Sequence, residues 1–369
     1  MHIISTTLIK GWCLLLKKLV CVLLALAALR APCAFAEGEP RVSASAAVVM
    51  AADGTVIYAK QPDERRLIAS TTKLMTALVV LERAELDAEV EILPGWCGAE
   101  GSSLYLHQGD RVSVRELLTG LLLASANDAA EALACYTSGS VKSFAALMNE
   151  KAAELGLENT HYVNPHGLDA EGHYSTARDL AKLMLACLDE PELAAILTQR
   201  YGTAAEQSFE NHNKLLWRLP GCLGGKTGYT QAAGRCLVSC AEREGTRFVC
   251  VTLNDPDDWE DHERLYAWAY ENYVNLSVTE GLRYAVPVLS GDREALDAVP
   301  ARELSLLVRR GEEPALVAEL PRFVFAPVRA GSEAGRLLLL SDGAELASVP
   351  LVYAEGAEVT TCRNASKRS

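Results

Sequence analysis

The chain has 369 residues, half of them hydrophobic, which is ample for a sizeable core and more than one domain. A net charge of −13 argues against general electrostatic binding to nucleic acid or to an anionic membrane surface. The eleven cysteines form no C-x-x-C pair, so a zinc site is not indicated.

The opening segment is basic, with Lys10, Lys17 and Lys18. An apolar run follows at 19–29, then Ala34-Phe35-Ala36 ahead of Glu37. This order reads as a secretory signal peptide at 1–36, cleaved after Ala36. The apolar run is short for a span, which needs about 20 residues. The expected location is exported and extracytoplasmic, either secreted or wall- or membrane-associated. Membrane association is expected only where the N-terminal segment is retained. Removal of Lys10, Lys17, Lys18 and Arg30 makes the mature chain still more acidic.

Residues 42–51 and 55–58, joined at Asp53-Gly54, read as a β-hairpin. Ser70-Thr71-Thr72-Lys73 leads into Leu74, Ala77, Leu78 and Leu81, which is helical spacing begun by a cluster suited to capping. Further helices are predicted at 114–123, 129–134, 144–155 and 175–188, with a loop at 164–167. From Gly221 the pattern changes. Lys226-Thr227-Gly228 is followed by paired strands at 236–241 and 247–253, joined at Glu244-Gly245. A helix at 258–273 closes the region, with Trp259, Trp268 and Tyr270 expected in its core. Strands at both ends and helices between predict an α+β fold, an antiparallel sheet flanked by helices. Beyond about 275, short apolar segments at 303–308, 322–328, 336–340 and 344–351 are separated by Gly- and acid-rich turns. They predict a small all-β domain. The expected organisation is 1–36 signal peptide, 37–275 catalytic domain, 276–358 β-rich domain and 359–369 polar, disordered tail.

Three motifs carry chemistry. Ser70 and Lys73, three apart at a helix start, share one face. A serine hydroxyl needs a base before it attacks. Lysine serves only where burial or a neighbouring cation lowers its pKa, and Lys226 is a candidate neighbour. Ser125 and Asn127 sit at a break between two apolar helices, where a hydroxyl can relay a proton and an amide can hold a substrate backbone. Ser125 with Asp128 equally fits a capping box. Lys226-Thr227-Gly228 on a strand lets a substrate lie alongside as an added strand, its terminal carboxylate on Lys226 and Thr227. The backbone N–H groups of Ser70 and Tyr229 are candidates for an oxyanion hole. Each motif alone is weak, but the three in this order are a recognised set for penicillin-reactive serine enzymes.

The context around them extends the likeness. It includes Gly101-Ser102-Ser103, ASANDAAEAL at 124–133, NPHGL at 164–168, YSTARDL at 174–180, NHNKLL at 211–216 and GKTGYTQAAG at 225–234. Over residues 44–273 the chain resembles the low-molecular-mass penicillin-binding proteins that are D-alanyl-D-alanine carboxypeptidases. Its C-terminal part, notably 325–340, is similar to the sandwich domain of that family. The resemblance implies a β-lactamase/transpeptidase-like fold followed by a small β-sandwich. It implies Ser70 as acylated nucleophile, Lys73 as base, Ser125 as proton relay and Asn127, Lys226, Thr227, Gly228 and Tyr229 as substrate-binding residues. Peptidoglycan pentapeptide stems are the implied substrate, β-lactams the covalent inhibitors, and no metal or cofactor is needed.

Leu223 and Gly225 stand where the family usually has an acidic residue and an aliphatic one. The family's frequent C-terminal amphipathic helix has no counterpart in the short polar stretch 360–369. His107, His161, His166, His173 and His212 lack metal-ligand spacing, and most read as surface or loop residues. Cys236, Cys240 and Cys250 fall in strand-like runs, where disulfides and buried free thiols are both open. Two alternatives stand beside the carboxypeptidase reading. One is a β-lactamase-like hydrolase, for which Glu154 and Glu158 lie in the relevant interval without an E-x-x-L-N pattern. The other is a catalytically silent wall-binding homologue, against which the complete trio argues.

Overall fold

The computed structural model describes residues 38–360 apart from Asp342. The signal-peptide reading of 1–36 and nearly all of the polar tail fall outside the described residues.

Strands β1 (Ala46–Ala51) and β2 (Val56–Lys60) form the expected hairpin. Asp53 Oδ1 accepts from the Thr55 N–H at 2.9 Å, and Gly54 turns at φ +87°. A 3₁₀ turn at Ala69–Thr72 runs into α1 (Lys73–Leu81). A short ladder of β3 (Glu89–Glu91) and β4 (Arg111–Ser113) precedes α2 (Val114–Thr119), a π turn (Gly120–Ala124), α3 (Asn127–Ser138) and α4 (Val141–Glu154). Then come α5 (Ala177–Asp189), α6 (Pro191–Leu197), the hairpin of β5 (Tyr201–Ala204) and β6 (Gln207–Glu210), and α7 (Leu215–Arg218). Strands β7 (Cys222–Thr230), β8 (Gly234–Arg243) and β9 (Thr246–Leu253) lead into α8 (Asp258–Asn272).

The main sheet is antiparallel in the order β2-β1-β9-β8-β7, so the hairpin at the start of the chain completes a sheet built mostly from its later part. Both faces are covered, and the two-residue period of β1 shows it. Ala46, Val48 and Met50 enter one core, while Ala47, Val49 and Ala51 enter the other. The first core holds α1, whose residues from Lys73 to Val80 are all buried. A helix apolar on every side must sit inside the protein. Each leucine buried there contributes roughly 1.5–3 kcal/mol. The second core holds α8 through Leu265, Tyr266, Ala269 and Tyr270, one stripe of the helix.

The chain continues through β10 (Tyr273–Ser277), β11 (Tyr284–Leu289), β12 (Ala295–Pro300), β13 (Ser305–Arg309), β14 (Ala315–Glu319), β15 (Val324–Phe325), β16 (Glu333–Ser341) and β17 (Ala344–Tyr353). Six of these form one sheet, β14-β16-β17-β12-β11-β15, and β10 pairs with β13. Leu304 and Leu306 pack onto the core of the six-stranded sheet, giving the expected sandwich its own core around Leu337, Leu339 and Leu351.

Some local expectations change. The Ser/Thr cluster does not cap α1. Thr71 and Thr72 hydroxyls instead donate back to the carbonyls of Ile68 and Ala69 at 2.7 and 2.9 Å, closing the 3₁₀ turn. Side-chain capping is found at Ser113, with a full capping box, and at Ser140 and Thr176. Among the described residues the seven cysteines are free, and Cys187, Cys236, Cys240 and Cys250 are buried. No described helix is long and apolar enough to cross a membrane.

Candidate active site

Ser70 lines a cleft of about 510 Å³ together with Ser102, Ser125, Thr227, Gly228 and Tyr229. Ala69 enters the turn at φ +45°, a sparsely populated conformation for a residue with a side chain, and so presents Ser70 at the start of α1. The turn is held from outside. His173 Nδ1 accepts from the Val163 N–H at 3.1 Å, which leaves the proton on Nε2. Nε2 lies 2.8 Å from Thr72 Oγ1, and Thr72 donates to the Ala69 carbonyl. A Cβ on Gly167 would stand 1.9 Å from that same carbonyl, so only glycine lets the 164–168 loop press against the turn.

Lys73, one turn along, is fully buried. Its Nζ is 2.9 Å from Ser70 Oγ, 2.6 Å from Asn127 Oδ1 and 2.7 Å from the His166 carbonyl. Burial first, then the charge of Lys226, holds its pKa well below the usual lysine value, against a smaller opposing pull from Asp128. With the amine neutral, two N–H groups serve Asn127 and His166, and the lone pair faces the Ser70 hydroxyl. That is the arrangement a general base requires.

The break between α2 and α3 is real. The π turn ends at Ser125 with φ 60° and ψ 32°, and Ala126 begins α3. Ser125 and Asn127 therefore face one place although only two positions apart. The capping-box alternative is corrected: Ala126, not Ser125, is the N-cap, and Asp128 works elsewhere. Its carboxylate accepts from Ser103 Oγ at 2.6 Å and from the N–H groups of Leu104 and Leu106 at 3.0 and 3.1 Å. The Asn127 N–H donates to the Ser102 carbonyl at 2.7 Å, so the 101–103 loop is tied over the cleft.

The third wall is β7, the edge strand of the main sheet. A Cβ on Gly228 would come within 3.0 Å of the Ser70 nitrogen and the Ile68 carbonyl, so the strand runs tight against the nucleophile turn. Lys226 is buried beside it, donates to the Thr227 carbonyl at 2.9 Å and has its pKa pulled down to about 7 by burial. The free edge of β7 offers unpaired backbone groups to an extended peptide. The eight residues singled out from sequence thus meet around one cleft, five on its surface and Lys73, Asn127 and Lys226 buried beneath.

Several contributors were not singled out. His166 and His173 are buried rather than surface residues, with pKa values lowered to about 4, chiefly by burial. Trp259 is half-buried, packing against the second core as expected, and it also lines the cleft, where Arg235 stacks over it and pairs with Asp258 at 2.9 Å. His212 and Lys214 also line the cleft, with Glu210. Burial and the Lys226 charge lower the His212 pKa. The only signal for these was the glycine of NPHGL and the polar run NHNK. Among the described residues, no three or more His, Cys, Asp or Glu side chains converge as a metal site would.

Residues 33–257 match the family model described as D-alanyl-D-alanine carboxypeptidase. The chain is 31% identical over 354 residues to D-alanyl-D-alanine carboxypeptidase DacF of Bacillus subtilis, covering 88% of this chain and 90% of that one. It is 33% identical over 356 residues to D-alanyl-D-alanine carboxypeptidase DacC of Escherichia coli, covering 89% and 88%. Among solved structures, penicillin binding protein 5 from Haemophilus influenzae superposes with a TM-score of 0.71 at 29% identity, over 88% of this chain and all of the other.

Proposed function

The chain belongs to the D-alanyl-D-alanine carboxypeptidase family and is a serine hydrolase of that specificity, and within it we propose that Ser70 is the acylated residue. The observation that carries this assignment is the buried amine of Lys73, 2.9 Å from Ser70 Oγ and depressed in pKa by burial and Lys226. Lys73 takes the hydroxyl proton as Ser70 attacks the carbonyl of the penultimate D-alanine. The N–H groups of Ser70 and Tyr229 receive the oxyanion, a contribution worth about 10²–10³ in rate per donor. Ser125 passes a proton to the departing amine, and Asn127 fixes both Lys73 and the substrate backbone. Lys226 and Thr227 hold the carboxylate of the leaving D-alanine. Water then hydrolyses the ester on Ser70.

The substrates are peptidoglycan pentapeptide stems, and β-lactams acylate Ser70 as covalent inhibitors. Residues 1–36 act as an export signal, so the enzyme works outside the cytoplasm. The catalytic domain ends near residue 275 and the β-rich domain runs over 276–358. A β-lactamase reading finds no support at its two candidate carboxylates. Glu154 is exposed and paired with Lys151, Glu158 is exposed, and neither lines the cleft.

Mass spectrometry of a defined pentapeptide before and after incubation tests the reaction. Loss of a single D-alanine is expected. An unchanged pentapeptide, or cleavage at another bond, would overturn the proposal.

A further inference from the structure

The cleft is also lined by Arg235, Asp258 and Trp259, which the reaction proposed above does not use. Arg235, the second residue of β8, is the cross-strand partner of Tyr229 on β7. Partners in a ladder share one face of the sheet, and so do residues two apart along a strand. Leu237 enters the second core, so Tyr229 and Arg235 stand on the face that carries α8. Tyr229 is exposed there.

The Arg235 guanidinium lies over the Trp259 ring, 5.8 Å from its centre, and its Nη2 is 2.9 Å from Asp258 Oδ1. The pair is lopsided: the Arg235 side chain is 42% exposed and that of Asp258 only 4%. It therefore shows the cleft a cation, while the buried carboxylate aims the guanidinium and the ring supports it. A guanidinium carries five N–H donors in a planar fork, enough to serve a second carboxylate while Nη2 stays on Asp258.

The order of groups along β7 identifies what meets this cation. Lys226 and Thr227 hold the terminal carboxylate, Gly228 runs under the Ser70 nitrogen, and the Tyr229 N–H faces the oxyanion. From Lys226 to Tyr229, about 10 Å at roughly 3.3 Å per residue, the strand leads from the departing D-alanine to the acylated one. The residue before the two D-alanines comes next, on the side of the cleft where Arg235 and Trp259 stand. In peptidoglycan stems that residue is a diamino acid. One kind ends its side chain in a second carboxylate, and another, lysine, does not.

We propose that Arg235 is a specificity-determining residue that takes the free side-chain carboxylate of the third stem residue, with Trp259 beneath its aliphatic part. The inference rests on the roles given above to Ser70, Lys226 and Thr227. Arg235 forms no covalent bond and moves no proton. It favours stems that bring a carboxylate to it over stems that bring an amide or a lone amine.

The test measures D-alanine release from three pentapeptides that differ only at the third residue: a diamino dicarboxylic acid, the same residue with its side-chain carboxylate amidated, and lysine. Wild type is expected to show about tenfold higher kcat/KM for the free acid than for its amide or for lysine. In Arg235→Gln the ratio of acid to amide is expected to fall to about twofold or less. The ratio is taken within one protein, so a reduced folded fraction cancels. Equal kcat/KM for acid and amide in wild type would overturn the inference, as would an undiminished ratio in Arg235→Gln, which would leave the arginine only a link between β8 and α8. Failure of wild type on all three peptides would instead sink the carboxypeptidase assignment of Ser70, and this inference with it.

Discussion

His173 Nε2 lies 2.8 Å from Thr72 Oγ1, and through that hydroxyl it holds the Ala69 carbonyl behind the nucleophile. A left-handed Ala69 costs of order 1–3 kcal/mol and persists only because its surroundings over-determine it. His173→Phe keeps the bulk and removes the hydrogen bonds. It should slow acylation by a fluorescent penicillin about tenfold while penicillin binding before acylation changes little. Equal acylation rates would show that the turn holds without this chain.

Gly167→Ala is expected to be more severe. Its Cβ would overlap the Ala69 carbonyl, and the backbone there sits at φ +88°. The loop must retreat, taking the His166 carbonyl away from Lys73. A stability loss of about 3 kcal/mol or more is expected, read as a lowered denaturation midpoint. A midpoint within error of wild type would contradict the packing described.

Activity should show a bell-shaped pH dependence in kcat/KM. Lys73 must be neutral to act as base, so the rate rises as pH climbs through its lowered pKa. Lys226 must be charged to hold a carboxylate, and its pKa of about 7 in the empty site places the falling limb near neutrality. Lys226→Arg, whose guanidinium stays charged, should remove the falling limb even if overall activity drops. A falling limb that persists in Lys226→Arg would assign it to another group.

Stability should fall in acid over a defined window. His166 and His173 have folded-state pKa values of about 4 and His262 about 3, all below the usual 6.5 because burial disfavours charge. Between these values and 6.5 the unfolded chain binds more protons than the folded one, so stability decreases as pH drops through that range. Replacing His262, which lies between Ser239 and Thr252, by glutamine should flatten the slope of the denaturation midpoint between pH 6.5 and about 3. An unaltered slope would show that His262 is already protonated in the fold.

Much of this was legible beforehand because the informative features are local. The period of apolar residues located α1, α3, α4, α5 and α8, and the strand pairs β1–β2 and β8–β9. The three motifs named the residues around Ser70. What escaped was either short or non-local. The β5–β6 hairpin has too few apolar residues to alternate visibly, yet its last residue, Glu210, lines the cleft. His166 and His173 looked like loop residues because the loop is irregular, and only the fold shows that it is packed against α1. Helical spacing placed Trp259 against the core, where it packs, but could not show that α8 begins beside the cleft, so that the same ring also lines it.

The central claim is that Ser70 carries the acyl group. Peptide mapping by mass spectrometry after incubation with benzylpenicillin tests it most directly. One adduct per chain is expected, located on the peptide containing Ser70, with none on Ser70→Ala. An adduct on another serine, or one that survives in Ser70→Ala, would contradict the account.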